Sequence, residues 1–558
     1  MWELIIYVSM WNILKNWGTK KKMRNYELYQ HPLVYTIKEL LDFCAKEYGE
    51  KEVFVYQNRK QDISVSCSKF KFDVNAFGTY LFSRIGIGSH IAVFGENSYE
   101  WIVTHFAATC GGNVIVPIDK ELETNNIEKL LIDSESNSVV YSDTYADIVE
   151  QLQSKLPDVI YINMKDMQKY IENGQNLIES GCMDYINSRV CKDDLASIVY
   201  TSGTTGASKG VMLTHNNFCS CMYGASCNVE ISGTSLLVLP LHHVFGLVAG
   251  VYAVMFYGYP IYINRSLKKL VADFQKSRPQ NIFAVPLFVE MFHKNIWTTA
   301  KKQGKERLLK ILIKVSNILL KCKIDLRKVL FQSVTAAFGG KLDLIVIGGA
   351  PINEKYIKEF EAFGIRVLNG YGITECGPIV AVNRNEWNII GSVGVPLCCN
   401  DVRIAEDGEV LVKGENVMLG YYHNEEENKK AFIGEWFKTG DIGEIDENGV
   451  LYITGRIKNL IILSNGENIP AESIEQEIYG ITYVKECIVY GKDNIIIAEV
   501  YLDEDVTDGK EKIYNDIQIL NQKLPQIRNI GRVIVRDMEF PKTTTKKIKR
   551  SERRKIEC

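Results

Sequence analysis

The sequence lacks several features that would each point to a class of partner. Its 65 lysines and arginines are balanced by 68 aspartates and glutamates, so 558 residues carry a net charge of only -3. This overall charge gives no reason to expect nucleic acid or another charged polymer as a partner. No apolar run reaches the roughly 20 residues that a membrane-spanning helix needs. Internal repeats and low-complexity tracts are missing as well, so any electrostatic partner has to be sought locally.

Clustered cysteines are also missing. The 14 cysteines are dilute over a chain of this length and form no Cys-x-x-Cys pair, and the eight histidines are scattered apart from the neighbours His242 and His243. This spacing argues against both a disulfide framework and a structural zinc site. We therefore expect reduced thiols and a cytoplasmic protein.

The N-terminus contains the longest apolar stretch, Met1–Trp17, followed by three lysines at 20–22. Glu3 interrupts the stretch, and the charges come after it, which is the wrong order for a secretory signal. We interpret residues 1–34 as an N-terminal extension of uncertain status. It is a surface helix, a helix lying on a membrane, or an artefact of an upstream start, since Met23 opens an ordinary segment.

Hydrophobic residues make up 46% of the chain and charged residues 24%, which are ordinary globular values. At roughly 150 residues per domain, the length corresponds to three or four domains, or to one large multi-layer domain with a smaller one. Short apolar runs alternate with amphipathic stretches through most of the chain, a pattern that predicts α/β units. The runs that we expect to form buried strands are Ile91–Phe94, Val114–Pro117, Val139–Tyr141, Ile198–Tyr200, Leu236–Leu239 and Leu344–Ile347.

The pattern changes after about Gly391. Turn signals at 406–408 and 447–449 separate short strands there, which indicates a small β-rich subdomain. After Gly455 a short basic link with Arg456 and Lys458 leads into a last segment of about 100 residues.

One region departs from the average charge. Residues 301–328 contain ten lysines or arginines and only two acids, Glu306 and Asp325. Apolar residues recur there at helical spacing. A basic amphipathic helix can lie on an anionic membrane, whereas the alternative is a helix that packs on its own protein and turns a basic face to water.

The strongest local signal for chemistry is the segment Ser197–Gly210. An apolar run ends there in a loop dense with hydroxyls and glycines and then reaches Lys209. Glycines let backbone N–H groups approach an anion, and hydroxyls add donors, so the segment suits a polyphosphate. It is not a Walker A loop, because Ser208 replaces the glycine before the lysine. Composition alone leaves a plain flexible loop as the alternative.

Three further segments carry chemically useful groups. Asn369–Glu375 combines an aromatic ring that can stack on a base with a glutamate that can hold Mg²⁺ on phosphate oxygens. Trp436–Asp441 places an acid on a tight turn, where it can hydrogen-bond a ribose diol. Phe540–Arg550 is a basic segment near the C-terminus, which alone would read as a solvated tail.

Taken together, these segments resemble the signature motifs of the adenylate-forming (AMP-binding) enzymes, most closely those of long-chain fatty acid–CoA ligases. The matching motifs occur in the family's order and spacing over about residues 35 to 555, at Thr201–Gly210, Gly348–Pro351, Tyr371–Glu375, Thr439–Asp441, Gly455–Lys458 and Pro541–Lys547. The resemblance implies a two-step reaction. A carboxylate attacks the α-phosphate of ATP to give an acyl-adenylate and pyrophosphate, and a thiol, usually that of coenzyme A, then displaces AMP.

The resemblance assigns roles around ATP and Mg²⁺. Tyr371 stacks on adenine, Thr374 contacts the α-phosphate, and Glu375 holds Mg²⁺. Asp441 takes the ribose hydroxyls with help from Arg456. The remaining ATP-binding positions are Thr201, Ser202, Gly203, Thr204, Thr205, Gly206 and Lys209 at the phosphates, and Gly348, Gly349, Ala350, Pro351, Asn369, Gly370 and Gly372 at adenine.

The resemblance also assigns roles near the C-terminus. Lys547 bridges the substrate carboxylate and phosphate during adenylation, although Lys546 replaces the family's usual glycine, so either lysine could enter the site. Lys458 lies at the hinge about which the C-terminal domain rotates between half-reactions. The pantetheine channel is lined by Ser464, Asn465 and Gly466.

The sequence gives weaker evidence about which carboxylic acid is the substrate than about the adenylation reaction. Pro240–Gly246 occupies the position of the family's acyl-site motif and lacks the aspartate that amino-acid-activating relatives need, which favours a neutral or apolar acid. By resemblance, His243 lies beside the substrate carboxylate, and Phe245 and Gly348 line the acyl pocket, whereas His242 is as readily a core histidine. Residues 297–340 resemble an insertion of long-chain fatty acyl-CoA synthetases.

We therefore predict an α/β protein with a large N-terminal multi-layer domain and a small mobile α+β C-terminal domain. The N-terminal domain spans residues 35–456 and combines α/β sheets with the β-rich subdomain, and the lid domain spans 457–558. The predicted function is a cytoplasmic long-chain fatty acid–CoA ligase that uses ATP, Mg²⁺ and coenzyme A, with possible peripheral membrane contact through 301–328. The alternatives are acyl transfer to the phosphopantetheine thiol of a carrier protein and a non-catalytic acyl-nucleotide-binding protein.

Overall fold

The structure is a computed structural model of the chain. It describes residues 26–58, 61–202, 208–264, 266–462, 468–481, 483–503, 506, 508–542 and 548–550. Candidate residues Gly203, Thr204, Thr205, Gly206, Ser464, Asn465, Gly466, Lys546 and Lys547 lie outside these ranges, as does the apolar stretch 1–17.

The strands, in chain order, are β1 (Glu52–Asn58), β2 (Gln61–Ser66), β3 (His90–Phe94), β4 (Val114–Ile118), β5 (Ser138–Tyr141), β6 (Ile160–Asn163), β7 (Leu195–Ser202), β8 (Ser208–Thr214), β9 (Ser235–Leu237), β10 (Ile261–Ile263), β11 (Asn281–Ala284), β12 (Leu344–Ile347) and β13 (Arg366–Gly372). They continue with β14 (Ile379–Val382), β15 (Val395–Pro396), β16 (Asn400–Ile404), β17 (Glu409–Gly414), β18 (Gly420–Tyr421), β19 (Phe432–Ile433), β20 (Trp436–Ile445), β21 (Leu451–Arg456), β22 (Leu460–Ile462), β23 (Asn468–Pro470), β24 (Val484–Lys492), β25 (Ile495–Leu502) and β26 (Ile530–Arg536).

The α-helices are α1 (Ile37–Tyr48), α2 (Cys67–Ile85), α3 (Tyr99–Cys110), α4 (Thr124–Asp133), α5 (Ala146–Lys155), α6 (Met167–Glu179), α7 (His215–Asn228), α8 (Val244–Leu247) and α9 (Val254–Phe256). A π-helical stretch, Val248–Ala253, joins α8 to α9. The others are α10 (Leu270–Ser277), α11 (Pro286–Lys302), α12 (Glu306–Lys321), α13 (Arg327–Leu330), α14 (Gln332–Ala336), α15 (Glu354–Ala362), α16 (Glu425–Ala431), α17 (Ala471–Tyr479) and α18 (Gly509–Asn521).

Two large sheets form the body of the protein. One has nine strands in the order β15-β14-β13-β12-β11-β9-β10-β1-β2, and the other has seven in the order β18-β8-β7-β4-β3-β5-β6. The central strands of both sheets are parallel; antiparallel strands lie at both edges of the nine-stranded sheet and at the β18 edge of the seven-stranded sheet, whereas β6 at its other edge is parallel. Helices connect the parallel strands, as the alternation in the sequence predicts, so the α/β fold is confirmed.

Local sequence explains where the helices begin and end. The side chain of Ser66 accepts a hydrogen bond from the Lys69 N–H and caps α2, a contact worth about 1 kcal/mol. The helix ends at Gly86, whose φ of 75° a residue with a Cβ adopts only with strain. The buried face of α2 includes Phe70 and Phe77, both fully inaccessible to solvent. Burial of each such ring stabilises the fold by roughly 2 kcal/mol.

The predicted strands are observed, with one difference. The strand predicted at Leu236–Leu239 ends at Leu237. Beyond it, the side chain of Asn97 donates to the Leu239 carbonyl at 2.7 Å and accepts from the Leu241 N–H at 3.0 Å. An amide side chain therefore satisfies the backbone where a neighbouring strand would otherwise have done so.

The β-rich region and the last segment also form as expected. Strands β16, β17, β19, β20 and β21 make a five-stranded sheet, and the turns at 406–408 and 447–449 place glycines at positive φ, 86° at Gly408 and 83° at Gly449. The last segment contains a three-stranded sheet, β24-β25-β26, with α17 and α18. Its apolar residues, from Ile461 to Ile530, form a hydrophobic cluster of their own.

The end of the N-terminal extension lies next to Arg384. The aromatic residues Tyr26 and Tyr29 lie against the guanidinium of Arg384, with 4.5 and 5.3 Å between its central carbon and the ring centres, so the end of the N-terminal extension packs on the body.

Among the helices that the structure describes, none combines the length and the apolar character needed to cross a bilayer.

Candidate active site

Four adjacent parallel strands, β9, β11, β12 and β13, end at the same edge of the nine-stranded sheet. In α/β sheets this edge is where ligands bind. The segment Pro240–Gly246 follows β9, Gly348 follows β12, and Gly372 ends β13. A Cβ at Gly348 would lie 3.6 Å from the Gly370 carbonyl oxygen and 3.7 Å from the Phe245 ring. Motifs more than 100 residues apart in the sequence therefore meet at one point.

Two glycines of these motifs are required by the backbone. A Cβ at Gly372 would lie 1.9 Å from the carbonyl oxygen of Pro378, so no other residue fits there. Gly349 has a φ of 89°, in the region that favours glycine. Ala350 and Pro351 follow it on the exposed rim of this edge. The glycines thus have a structural cause beside any contact with a nucleotide.

A tyrosine, an aspartate and an arginine form the most complete polar network at the edge. The Tyr371 hydroxyl donates to Asp441 Oδ2 at 2.6 Å, and Arg456 Nε lies 2.8 Å from Asp441 Oδ1. Asp441 and Arg456 are paired directly across β20 and β21, and the Asp441 side chain is almost fully buried. Burial, followed by the Asp441 charge, raises the pKa of Tyr371 well above its usual value.

The loop before Asp441 is held by its neighbours. The Thr439 hydroxyl donates to the Val410 carbonyl at 2.7 Å and accepts from the Asp441 N–H at 3.1 Å. The Gly440 N–H donates to Glu409 at 2.9 Å. These contacts fix the loop that carries the carboxylate.

Glu375, the predicted Mg²⁺ ligand, lies in a short 3₁₀ turn that begins at Thr374, directly after β13. Its Oε1 accepts a hydrogen bond from the Tyr421 hydroxyl at 3.0 Å. Burial and then the Glu375 charge raise the pKa of Tyr421, which keeps this phenol a donor. A single carboxylate held in this way fits Mg²⁺, which proteins bind through one or two carboxylates together with substrate phosphates.

Tyr421 was not found from the sequence. Its strand, β18, is two residues long, and no motif marks it. It reaches the site because β18 pairs with β8, placing Tyr421 opposite Val211. The Lys209 ammonium lies 5.0 Å from the centre of the Tyr421 ring and forms an ion pair with Glu427. Glu427, the partner of Lys209, was also missed.

The structure describes only part of the predicted phosphate loop. Thr201 and Ser202 end β7, opposite Lys209 and Ser208 at the start of β8. The two strands therefore bring both flanks of the predicted loop together in an antiparallel pair. Gly203, Thr204, Thr205 and Gly206 lie outside the described residues, as does the side chain of Ser202.

Asn369 has a structural partner in this structure. Its side-chain amide donates to the Ser392 carbonyl at 3.0 Å, and the Asn383 amide donates to the Asn369 carbonyl at the same distance. These bonds join the end of β13 to the chain that leads into β15. The contact with adenine implied by the resemblance remains a prediction.

The two adjacent histidines differ in surroundings. His242 is buried, with Nε2 at 3.5 Å from Asp119 Oδ1, and burial lowers its pKa although Asp119 acts in the opposite direction. His243 precedes α8, and its ring centre is 4.2 Å from that of His242. His242 therefore fits the core-histidine alternative.

An apolar cavity of about 30 Å³ lies beside Phe245. One wall is the π-helical stretch 248–253, a kind of irregularity frequent at functional sites. Much of its lining consists of small or β-branched side chains, namely Ala225, Ser226, Val229, Val248, Ala249, Ala253, Val346 and Val382. The cavity is about the size of a water molecule, so an acyl chain has to displace side chains to enter.

Among the C-terminal candidate residues, the structure describes Lys458, and it describes the chain on both sides of the others. Lys458 lies in a 3₁₀ turn at Ile457–Asn459, between β21 and β22. Lys542 and Ile548 form an antiparallel bridge on either side of the predicted catalytic lysine, and the Lys549 N–H donates to the Pro541 carbonyl at 2.8 Å. Lys547 itself, the alternative Lys546 and the channel residues Ser464, Asn465 and Gly466 lie outside the described residues.

Comparison with known proteins identifies the class of this site. A family profile described as AMP-binding enzyme matches residues 41–422. The chain therefore belongs to the AMP-binding, adenylate-forming enzymes, and the resemblance of the motifs to this superfamily is confirmed.

The similar proteins include CoA ligases for more than one acid. The long-chain-fatty-acid–CoA ligase FadD15 of Mycobacterium bovis is 28% identical over 514 residues, which cover 86% of this chain and 85% of the ligase. A 2-succinylbenzoate–CoA ligase of Listeria innocua is 27% identical over 474 residues, covering 83% of this chain and 87% of that ligase.

Solved structures show the same fold. A fatty acyl-CoA synthetase of Mycobacterium tuberculosis superposes with a TM-score of 0.67 at 24% identity, covering 94% of this chain and 98% of the synthetase. The o-succinylbenzoate–CoA synthetase of Bacillus subtilis, solved with ATP and a magnesium ion, has a TM-score of 0.70 at 22% identity and covers 92% of this chain and 98% of its own.

Proposed function

We propose that this chain is an acid–CoA ligase that activates a long-chain fatty acid through an acyl-adenylate, with ATP, Mg²⁺ and coenzyme A. The observation that supports it most is the meeting of three groups at one sheet edge. These are the Tyr371–Asp441–Arg456 network, the Glu375 carboxylate held by Tyr421, and the apolar cavity beside Phe245. A ribose site, a metal ligand and an apolar pocket at one edge are what adenylation of an apolar acid requires.

Electrostatics explain the need for cations in this reaction. The first step brings a carboxylate to an already anionic polyphosphate. Opposite unit charges at ~4 Å attract by about 4 kcal/mol at an effective dielectric of roughly 20, so Mg²⁺ and one lysine can supply much of the stabilisation. We assign Glu375 to the metal and Lys547 to the carboxylate and phosphate, with Lys546 as the alternative. Thr374 serves the α-phosphate, and His243 the carboxylate.

The apolar acid is supported by the pocket. Its lining contains no charged side chain, and residues 240–246 contain no acid. Some relatives are long-chain-fatty-acid–CoA ligases and others are 2-succinylbenzoate–CoA ligases. We favour the long-chain acid because succinylbenzoate carries a second carboxylate, which this lining would bury without a partner at a cost of several kcal/mol.

The proposal also includes the thiol acceptor and the rotation of the last segment. Residues 457–558 act as a lid that turns at Lys458, so that Ser464, Asn465 and Gly466 line the pantetheine channel in the second step. The separate hydrophobic cluster of this segment supports its treatment as a unit. Transfer to a carrier-protein thiol is the alternative acceptor reaction. We place the enzyme in the cytoplasm, in contact with a membrane through residues 301–328.

One assay panel tests the proposal. Purified full-length protein with ATP and Mg²⁺ is offered acids from two to eighteen carbons and 2-succinylbenzoate, with coenzyme A or a phosphopantetheinylated carrier protein, and AMP and thioester are measured. We expect AMP and acyl-CoA with acids of twelve or more carbons. A preference for short acids or succinylbenzoate would overturn the long-chain assignment alone. Nucleotide binding without AMP release from any acid would favour the non-catalytic alternative.

A further inference from the structure

Helix α12, in the basic region 301–328, has three faces instead of two. Leu309 and Ser316 lie on the face buried against the body. Side chains three to four residues apart project from the same side of a helix, so two further stripes can be traced. The first is apolar and exposed, and consists of Leu308, Ile311, Val315 and Ile318; Ile311 and Ile318 are 57% and 61% accessible. The second is basic, and consists of Arg307, Lys310, Lys314 and Lys321.

The exposed apolar stripe is not explained by the fold. A helix that only packs on its own protein buries its apolar residues and turns polar ones to water. Here no described residue covers the stripe, and exposed apolar residues continue beyond the helix at Ile324, Leu326 and Val329. A contiguous exposed apolar surface rimmed by charge marks an interaction site.

The basic stripe borders an open cleft of about 670 Å³ between α11, α12 and α15. Its lining includes Lys301, Lys310, Lys314 and Lys355 beside Trp297. Among the described residues, Lys301, Lys314 and Lys355 form no ion pair, whereas Lys310 pairs with Glu306 at 2.7 Å. The cleft therefore presents uncompensated positive charge.

The acidic group deeper in the cleft is already satisfied. Glu359 Oε2 lies 2.8 Å from His293 Nε2 and accepts a hydrogen bond from Trp297 Nε1 at 2.8 Å. The charge of Glu359 still interacts with Lys355, so the cleft sets four lysines against two carboxylates, Glu306 and Glu359. The lining combines cations with an indole edge, which suits the phosphate of a lipid headgroup at the boundary between water and acyl chains.

We propose that α12 docks on an anionic phospholipid bilayer. The stripe at 308, 311, 315 and 318 enters the acyl boundary, and the lysines of the cleft hold lipid phosphates. Charge complementarity favours a bilayer, because residues 301–328 carry ten basic and two acidic side chains in a protein of net charge -3. This docking rests on the proposed function, since a bilayer is where an acid of that length is held.

Vesicle binding by full-length protein tests the docking. The wild type is sedimented with vesicles of phosphatidylcholine containing about one third phosphatidylglycerol, and with neutral phosphatidylcholine vesicles. Each lysine near an anionic surface contributes about fivefold in affinity. The variant K301Q/K314Q/K355Q should therefore bind about a hundredfold more weakly to anionic vesicles. I311S/I318S should lose at least tenfold, because two insertion side chains are removed.

Ile132 provides a matched control, because it is 58% exposed near the end of α4, away from the basic region. I132S should bind vesicles within twofold of the wild type. Equal binding to neutral and anionic vesicles, or wild-type binding by both test variants, would overturn the docking. So would a shift in oligomeric state by I311S/I318S without loss of vesicle binding, which would show that a second copy covers the stripe.

Ligase activity with a twelve-carbon acid, supplied as a dilute monomer in solution, separates the two proposals. All variants should retain the wild-type rate with this acid in the absence of vesicles, which also shows that they are folded. Vesicle binding by a protein that releases no AMP would leave the docking intact and overturn the proposed function. An active enzyme that does not bind vesicles would leave the proposed function intact and overturn the docking.

Discussion

The body of the protein buries histidines, whereas its last segment has none to bury. In the body, His105 and His215 are fully buried, and burial lowers their pKa values to about 3 and 4. The Nδ1 atom of His215 accepts a hydrogen bond from the Ile37 N–H at 3.2 Å, so that ring is neutral. His105 stacks on Trp101, with ring centres 5.6 Å apart.

The last segment, from residue 457 onward, contains no histidine, and its buried groups include the carboxyl group of Glu475. Burial raises the pKa of Glu475 to about 7, although Arg550 acts in the opposite direction. The group is held by an ion pair with Arg550 and by the Val489 N–H at 2.6 Å. His105 and His215 therefore destabilise the body below pH 6.5, whereas Glu475 destabilises the last segment as the pH rises toward 7.

The two regions also differ in chemistry. The body brings together Tyr371, Asp441 and Glu375, whereas the last segment supplies the residues beside the predicted lysine at 547. Under the proposed function, the body binds the nucleotide and the metal ion. The last segment contributes its lysine to the adenylation step. Each prediction below tests one side of the comparison.

The largest effect is expected for Lys547→Ala. Loss of one charge-stabilising group should slow adenylation by about 10²- to 10³-fold. Thioester formation from preformed acyl-adenylate should remain close to the wild-type rate, because the carboxylate is already joined to AMP and pyrophosphate has already left. The two half-reactions are measured separately by pyrophosphate exchange and by thioester release. Lys546→Ala is the matched control, and an equal loss in both half-reactions would contradict the role of Lys547.

The next effect concerns Glu475. Between pH 4.5 and 7 the unfolded chain loses the proton of this group while the folded chain keeps it, so stability falls as pH rises through this window. The total loss is at most about 3 kcal/mol. Amide exchange of β24 and β25 reports the stability of this segment. We expect protection to decline from pH 4.5 to 7, after correction for intrinsic exchange, and Glu475→Gln to remove the decline. A variant with the wild-type slope would contradict the assignment.

The body should show the opposite dependence. Below pH 6.5 the unfolded chain protonates His105 and His215 while the folded chain does not, so stability is full above 6.5 and falls toward pH 4. At pH 5 the loss is about 2 kcal/mol for each histidine. All seven tryptophans precede residue 457, so their fluorescence during denaturant unfolding does not report on the last segment.

Exposed His423 supplies the control for this measurement. His215→Gln should flatten the acid limb of the stability profile, whereas His423→Gln should leave its slope unchanged. An acid limb that is identical in the wild type and His215→Gln would show that other groups set the acid stability of the body.

The smallest effect is expected for Tyr421→Phe. The variant removes one hydrogen bond to Glu375, worth about 1 kcal/mol, and leaves the ring beside Lys209. We expect a several-fold rise in the Mg²⁺ concentration that gives half-maximal adenylation, with little change in thermal stability. Tyr422→Phe, at the neighbouring residue whose hydroxyl donates to Glu135, is the control. An unchanged Mg²⁺ dependence would show that Tyr421 does not position Glu375.

Much of the fold was predictable because strand-forming runs such as Leu344–Ile347 are apolar throughout, which parallel strands covered on both faces require. The prediction at Leu236–Leu239 overran by two residues because Asn97, far away in sequence, satisfies the backbone there. Tyr421 and Glu427 were missed because neither lies in a motif. Only strand pairing brings them to Glu375 and Lys209.

The sequence by itself determined the family and the order of the motifs. These depend on residue type at fixed spacing, which is a local property. The tertiary structure decided which side chains meet, because contacts such as Asp441 with Tyr371 and Arg456 depend on register between distant strands. It also decided that α12 leaves an apolar stripe exposed. Periodicity gives the faces of a helix, but only the packed neighbours determine which faces they cover.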